Sequence, residues 1–246
     1  MTSLRPYQSA IVAKCDDVVA NGKRRPIVVA PTGAGKTVIA AAMIKTAIAQ
    51  SRRVLVLGHT REIIKQSSLK LSGYGIEHGI IQAGLVIDLG QSVQVGSIQT
   101  LWSRAMRTDR MPLPAADLLI IDEAHHCPAN TYRRIIESYP NAVLIGLTAT
   151  PCRGDGRGLG GIFQTMIETP QVADLIKQGY LVGTRVYAAC DPDLRGVRTQ
   201  AGDYVESQLA ERMDRDNLVG DIVTHWHKYG VPRKTHRPAC RLNSPA

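Results

Sequence analysis

Five short aliphatic runs punctuate the first 150 residues: IVVA at 27–30, VLVLG at 54–58, VQVGSI at 93–98, DLLIID at 117–122 and AVLIGLTAT at 142–150. Most carry apolar residues on both faces, so they need cover on both sides. The segments between them read at helical period: KTVIAAAMIKTAIA at 36–49, REIIKQSSLKLSG at 61–73 with Gly73 as its stop, and NTYRRIIESY at 130–139. Alternation of this kind predicts an α/β fold, a mostly parallel sheet covered by helices on both faces. Such sheets take ligands in the crevice beyond the carboxyl ends of their strands. Hydrophobic residues make up 44% of the chain and aromatics 4%, so the core is aliphatic.

Several classes fall away early. No apolar run approaches the roughly 20 residues that span a bilayer. The start, MTSLRPYQSAIVAKCDD, lacks a signal-peptide apolar region. The expectation is a soluble, cytoplasmic protein with no membrane partner. Five widely spaced cysteines do not form a disulfide framework. Cys127 and Cys152, beside His125 and His126, match no zinc spacing. The formal charge is +9, but five of those charges (Lys228, Arg233, Lys234, Arg237, Arg241) follow Asp221, after which no acidic residue occurs. Charge alone is therefore a weak sign of nucleic-acid binding.

The chemistry begins with APTGAGKT at 30–37, directly after one run and opening a helix. Glycines let backbone N–H groups close around phosphate oxygens, and the helix N-terminus adds positive potential. The strict pattern begins with Gly, where this chain has Ala30; Gly33, Gly35, Lys36 and Thr37 all stand. Thr32 to Thr37, with Ala34 among them, are the nucleotide-binding candidates. Lys36 is expected to reach the β- and γ-phosphates, and the Thr37 hydroxyl to ligate magnesium. Magnesium then needs a carboxylate from a neighbouring strand end. The run LLIID at 118–122 supplies Asp122, and Glu123 beside it is placed to deprotonate a water.

These residues resemble superfamily 2 helicases of the DEAD/DEAH-box group, over residues 4–230. RPYQ at 5–8 resembles the adenine-reading element, which implies that Gln8 contacts the base edge. LGHTREIIKQ at 57–66 and VGSIQTL at 95–101 resemble backbone-contacting motifs, which implies that Thr60, Arg61, Gln99 and Thr100 meet nucleic acid. Asp122-Glu123-Ala124-His125 is the acidic motif as it stands, with His125 passing γ-phosphate chemistry onward. LTATP at 147–151 resembles the coupling motif, with Thr148 and Thr150 its working hydroxyls. No role follows for His126, and His59 reads equally as a helix-start residue. The stretch at 151–182 is similar to the branch of prophage helicases and type III restriction Res subunits, which implies DNA rather than RNA as partner.

The family has two RecA-like lobes with ATP between them, and its second lobe supplies arginine fingers. After RKT at 233–235 the family continues into an apolar strand, whereas this chain reads THRPACRLNSPA at 235–246. The expected organisation is therefore an ATP-binding lobe at 1–185, a linker and incomplete second lobe at 186–230, and a basic, disordered tail at 231–246. Helices are expected at 170–178, 206–214 and 217–229, with a strand at 180–182 after Gly179, and a flexible Gly-rich loop at 152–162. The function expected is ATP-dependent DNA translocation or unwinding with slow turnover in this polypeptide. A partner chain would then supply the second lobe. The alternatives are a non-catalytic nucleic-acid-binding fragment and a phosphate-loop ATPase of another class.

Overall fold

The computed structural model describes residues 4–127, 129–151, 158–184, 194–200, 203–213 and 227–230. The chain divides into two units, Met1–Gly183 and Thr184–Ala246. In the first, seven strands form one sheet: β1 (Pro26–Val29), β2 (Val54–Gly58), β3 (Gly79–Ile81), β4 (Val93–Ser97), β5 (Leu118–Asp122), β6 (Val143–Thr148) and β7 (Thr165–Glu168). Their order is β3-β4-β2-β5-β6-β1-β7, and every pairing is parallel. The expected α/β architecture is the one observed.

Side-chain alternation along the strands builds two cores. Val54, Val56, Leu118, Ile120, Val143 and Ile145 point to one face, where they meet α1 (Pro6–Ala20), α2 (Lys36–Ala49), α3 (Arg61–Gly73) and α6 (Val172–Lys177). Leu55, Leu57, Leu119, Ile121 and Leu144 point to the other, against α4 (Ile98–Leu101) and α5 (Asn130–Glu137). Each fully buried aliphatic side chain contributes about 1.5–3 kcal/mol, which is why strands apolar on both faces hold the centre. The Ala-rich face of α2, with Ala40, Ala41 and Ala47 buried, lets that helix lie close to the sheet.

Gly146 in β6 marks the tightest place in the second core. A Cβ there would lie 2.6 Å from the Phe163 ring and 3.0 Å from the Ala124 Cβ. Phe163 thus packs directly beneath the turn that follows β5.

Some expectations need correcting. Residues 180–182 are not a strand: the Tyr180 and Leu181 N–H groups both donate to the Leu175 carbonyl and close α6, with Gly179 at φ +74°. The run at 142–150 leaves the sheet at Thr148, whose hydroxyl captures the Thr150 backbone. α1, β3 and β7 join the predicted elements, and α4 continues into a π-helical segment, Trp102–Arg107. In the second unit the described elements are a two-strand antiparallel pair, β8 (Thr199–Gln200) with β9 (Asp203–Tyr204), and α7 (Glu206–Met213). Cys152, most of the helix expected at 217–229 and the tail at 231–246 lie outside the described residues. No described helix is long and apolar enough to cross a membrane.

Candidate functional site

The strand order explains why distant motifs meet. β6 lies between β5 and β1, so the loops after β1, β5 and β6 leave the sheet side by side at its carboxyl edge. Those loops carry Lys36, Glu123 and Thr150.

The phosphate loop is wound through two left-handed glycines, Gly33 at φ +86° and Gly35 at φ +85°. Side chains there would meet obstacles as well: a Cβ on Gly35 would lie 2.5 Å from Gln8 Nε2. α1 grips the loop from behind. The Tyr7 hydroxyl donates to the Ala34 carbonyl at 2.7 Å and Gln8 Nε2 donates to the same oxygen at 3.1 Å. Gln8 Oε1 accepts from the Arg5 N–H at 3.0 Å, so both ends of this buried amide are engaged. The Tyr180 ring meets Tyr7 at a tilt, 5.3 Å between centroids, and lies under the Arg5 guanidinium. Ala34 is fully buried, whereas Thr32 is exposed on the outer arm of the loop.

Lys36 Nζ lies 3.5 Å from the Ala30 carbonyl and 4.0 Å from Glu123 Oε1. Glu123 reaches that position through a left-handed backbone, φ +51° and ψ 53°. A non-glycine residue held there stores strain of order 1–3 kcal/mol, and such residues cluster at active sites. The other Glu123 oxygen lies 3.4 Å from His125 Nδ1. His125 Nδ1 is also 3.1 Å from the Thr148 hydroxyl, which donates to the Thr150 carbonyl at 2.9 Å and accepts from the Thr150 N–H at 3.1 Å. All these contacts are satisfied together when Nδ1 carries the proton. A continuous chain thus runs Lys36–Glu123–His125–Thr148–Thr150.

Asp122 ends β5 with one carboxylate oxygen accepting from the Glu123 N–H at 3.0 Å. Burial pushes its carboxyl above the usual range, opposed by that N–H and by the charges of Lys36 and Lys70. Thr37 and Asp122 offer hydroxyl and carboxylate oxygens, the hard donors magnesium prefers. Their elements stand together at the carboxyl edge, so the residues present fit that ion.

The nucleic-acid candidates are held differently. Thr60 caps α3, its hydroxyl accepting from the Ile63 N–H at 3.2 Å, and Arg61 is exposed in the first turn. Gln99 is exposed; its amide oxygen accepts from the Ser97 hydroxyl at 2.9 Å and its nitrogen lies 3.4 Å from His59 Nδ1. Thr100 is turned inward, buried, with its hydroxyl accepting from the Ala83 N–H. It fixes the loop after β3 and presents no group to solvent.

Sequence reasoning missed three things here. Tyr7 had no assigned role. His59 and His126 stack at 4.8 Å, and His126 meets His125 at 4.2 Å, which joins the α3 start to the acidic turn. Burial and the neighbouring His125 and His59 lower the His126 pKa, against Glu123. Lys70, in the last turn of α3, donates to the Thr37 hydroxyl at 3.3 Å, across 33 positions of sequence. No local pattern signals that contact. Cys127 is buried, its thiol pushed up to about 12, and the described residues hold no metal-type cluster of histidine, cysteine and carboxylates.

Comparison with known proteins places this geometry. The family model described as type III restriction enzyme, res subunit, matches residues 1–153. A 51.5 kDa protein of a Lactococcus phage (isolate 7-9) is 28% identical over 204 residues, which cover 83% of this chain and 41% of that protein. The irc3 protein of Schizosaccharomyces pombe, described as a mitochondrial ATP-dependent helicase, is 32% identical over 94% of this chain and 38% of its own length. The chain therefore spans about two fifths of these curated relatives. Among solved structures, the helicase domain of Pyrococcus furiosus Hef shares the fold, with TM-score 0.57 and 22% identity over 71% of this chain and 39% of that one. The matched span takes in the phosphate loop, the acidic turn and the β6 threonines in the order the sheet requires, and the chain belongs to the type III restriction enzyme Res-subunit family of superfamily 2 helicases.

Proposed function

We propose that this chain is the ATP-binding lobe of an ATP-dependent DNA helicase or translocase. The observation that carries the reading is the unbroken chain from Lys36 through Glu123 and His125 to Thr148 and Thr150. It ties the residue that meets the terminal phosphates to the strand end that faces nucleic acid.

Gly33, Ala34 and Gly35 present backbone N–H groups to the phosphates of ATP, with Thr32 at the mouth of the loop. Lys36 neutralises the β- and γ-phosphates. Gln8, tethered to the loop through Ala34, is placed to report whether a base is seated above it. Magnesium held by Thr37 and Asp122 would offset charge on the phosphates during transfer. Glu123 orients the attacking water and accepts its proton. Charge change at Glu123 is felt by His125, which passes it to Thr148 and Thr150. Thr60, Arg61 and Gln99 form the nucleic-acid edge, and Thr100 supports it from within.

The lobe is taken as residues 1–185, with 186–230 leading toward a second lobe and 231–246 as a basic tail. An arginine finger from a second lobe is worth about 10³–10⁵ in turnover. Full activity in this reading draws on such a second lobe as well as on the one described here. The membership of a restriction-enzyme family favours DNA over RNA, and the cytoplasm is the compartment we assign.

The test is ATP hydrolysis by the purified chain with and without duplex and single-stranded DNA, beside Lys36→Ala. ATP binding that Lys36→Ala removes, with slow turnover that DNA barely moves, is the expected result. A chain that binds DNA identically at every nucleotide concentration and never binds ATP would sink the proposal.

A further inference from the structure

We propose that the turn after α6 completes the nucleotide site: Tyr180 positions Arg5 and Gln8 toward the base, and Leu181 braces the phosphate loop at Gly33. The inference rests on the reading of Gln8 and residues 30–37 as the ATP site.

The turn itself is firmly set. Gly179 takes φ +74°, and the Tyr180 and Leu181 N–H groups donate to the Leu175 carbonyl at 2.8 and 3.1 Å. Leu175 is fully buried, so the turn is pinned to the first core. From there its two side chains reach different parts of one site. The Arg5 guanidinium lies 4.9 Å over the Tyr180 ring, and Arg5 Nη1 donates to the Tyr180 carbonyl at 3.4 Å. One residue, 175 positions away, thus holds Arg5 by its ring and by its backbone. Arg5 is the N-cap of α1, and its own N–H donates to Gln8 Oε1 at 3.0 Å. Leu181 goes to the loop instead. A Cβ on Gly33 would lie 2.9 Å from Leu181 Cδ2, its nearest neighbour.

Ordinary packing accounts for part of this, since both side chains also lie against the first core. It does not account for a guanidinium laid on the ring, nor for its bond to the carbonyl of the same residue. Arginine is planar and weakly hydrated, so an aromatic face holds it at little cost. Arg5 fixed in this way fixes the start of α1, and with it the Gln8 amide. Gly33 poses a different problem. A left-handed glycine is the most mobile kind of backbone, and binding must immobilise it. A side chain already packed on it lowers that loss. Tyr180 therefore acts on the base and Leu181 on the phosphates.

The test is isothermal titration of ATP and of inorganic tripolyphosphate, each with Mg²⁺, into the purified chain. Tyr180→Ala is expected to weaken ATP about fivefold, the worth of the ring contacts, and to spare tripolyphosphate. Tyr180→Phe keeps ring and carbonyl and should bind ATP as the unaltered chain does. Arg5→Ala should repeat the Tyr180→Ala loss, and the double variant should lose no more than either alone, because each breaks the same contact. Leu181→Ala should weaken ATP and tripolyphosphate alike, about threefold. Val182→Ala, at an exposed neighbour, should change neither. If Tyr180→Ala does not fold, Tyr180→Leu, which keeps apolar bulk without the aromatic face, carries the same expectation. Equal loss of both ligands in the Tyr180 variant, a Tyr180→Phe as weak as that variant, or unchanged ATP affinity in it or in Leu181→Ala overturns the proposal. Loss of both ligands in Lys36→Ala would then leave the ATP site standing without it. An unaltered chain that binds neither ligand overturns the site and the proposal together.

Discussion

The proposed nucleotide end and the proposed nucleic-acid edge of this lobe share one sheet rim but are built on opposite plans. At the nucleotide end nearly every polar group already has a protein partner. Tyr7 and Gln8 converge on the Ala34 carbonyl, Lys36 and His125 flank Glu123, and Thr148 serves His125 and Thr150. At the proposed nucleic-acid edge Arg61 and Gln99 are exposed, Gln99 being held through Ser97 and His59. Preorganised groups lose little on binding, which suits chemistry that needs fixed geometry. An exposed, adaptable edge suits a backbone of phosphates met in many registers.

The contrast can be broken or sharpened by substitution. Lys36→Ala should have the largest effect, weakening ATP binding by about 10- to 100-fold, the value of a charge-assisted contact, while DNA binding holds. Isothermal titration with ATP and with a DNA duplex separates the two. Gly146→Ala comes next: a methyl 2.6 Å from the Phe163 ring should cost about 1–3 kcal/mol of stability, read as a lower melting temperature. No loss on melting would mean that the floor beneath the acidic turn is soft.

His125→Ala and Thr148→Val probe the coupling chain. Each should destabilise the lobe, and the double variant should recover about 1 kcal/mol of the sum because both remove one bond. Strict additivity in a thermal-melt cycle would show that the 3.1 Å contact carries no energy. At the other end, Arg61→Ala should weaken DNA several-fold and lower the slope of log affinity against log salt by about 1, with ATP binding untouched. A changed ATP affinity would erase the distinction between the two ends.

The smallest expected effect concerns pH. Burial raises the folded-state pKa of Asp122 above its unfolded value. The folded chain then holds that proton more tightly, so this group's contribution to stability is present at low pH and lost as pH rises through the raised pKa. Asp122→Asn should therefore melt higher than the unaltered chain at pH 7 and equal to it below the ordinary carboxylate range. The same variant should lose metal. A carboxylate kept where it weakens the fold is one kept for function; equal melting at both pH values would refute that.

Much of this was legible in the sequence because local signals were strong. α2, α3 and β2 begin and end where periodicity placed them. α3 had an N-cap at Thr60 and a glycine at its end. The phosphate loop and Asp122 were readable because glycine spacing and an apolar run ending in acid have few other uses. Edge elements were not: β3 has three residues, and only Ile167 of β7 is buried. The strand expected at 180–182 failed because hydrogen bonding to Leu175, invisible in a linear pattern, outweighed the apolar character of Leu181 and Val182. Glu123 needed a left-handed turn that no composition announces. The His59–His126 stack and the Lys70–Thr37 contact join residues 67 and 33 positions apart, and only the sheet order brings them together.

One packing detail makes the lobe unusually easy to watch. Phe163 is the only phenylalanine in 246 residues, and its ring fills the space left by Gly146 directly beneath Ala124 of the acidic turn. Biosynthetic incorporation of fluorophenylalanine would thus place a single fluorine signal under the turn that carries Asp122 and Glu123, with no mutation and no crowding from other labels. Its chemical shift would register each rearrangement of that turn as nucleotide, metal or DNA arrives, one resonance reporting the order in which the ligands act.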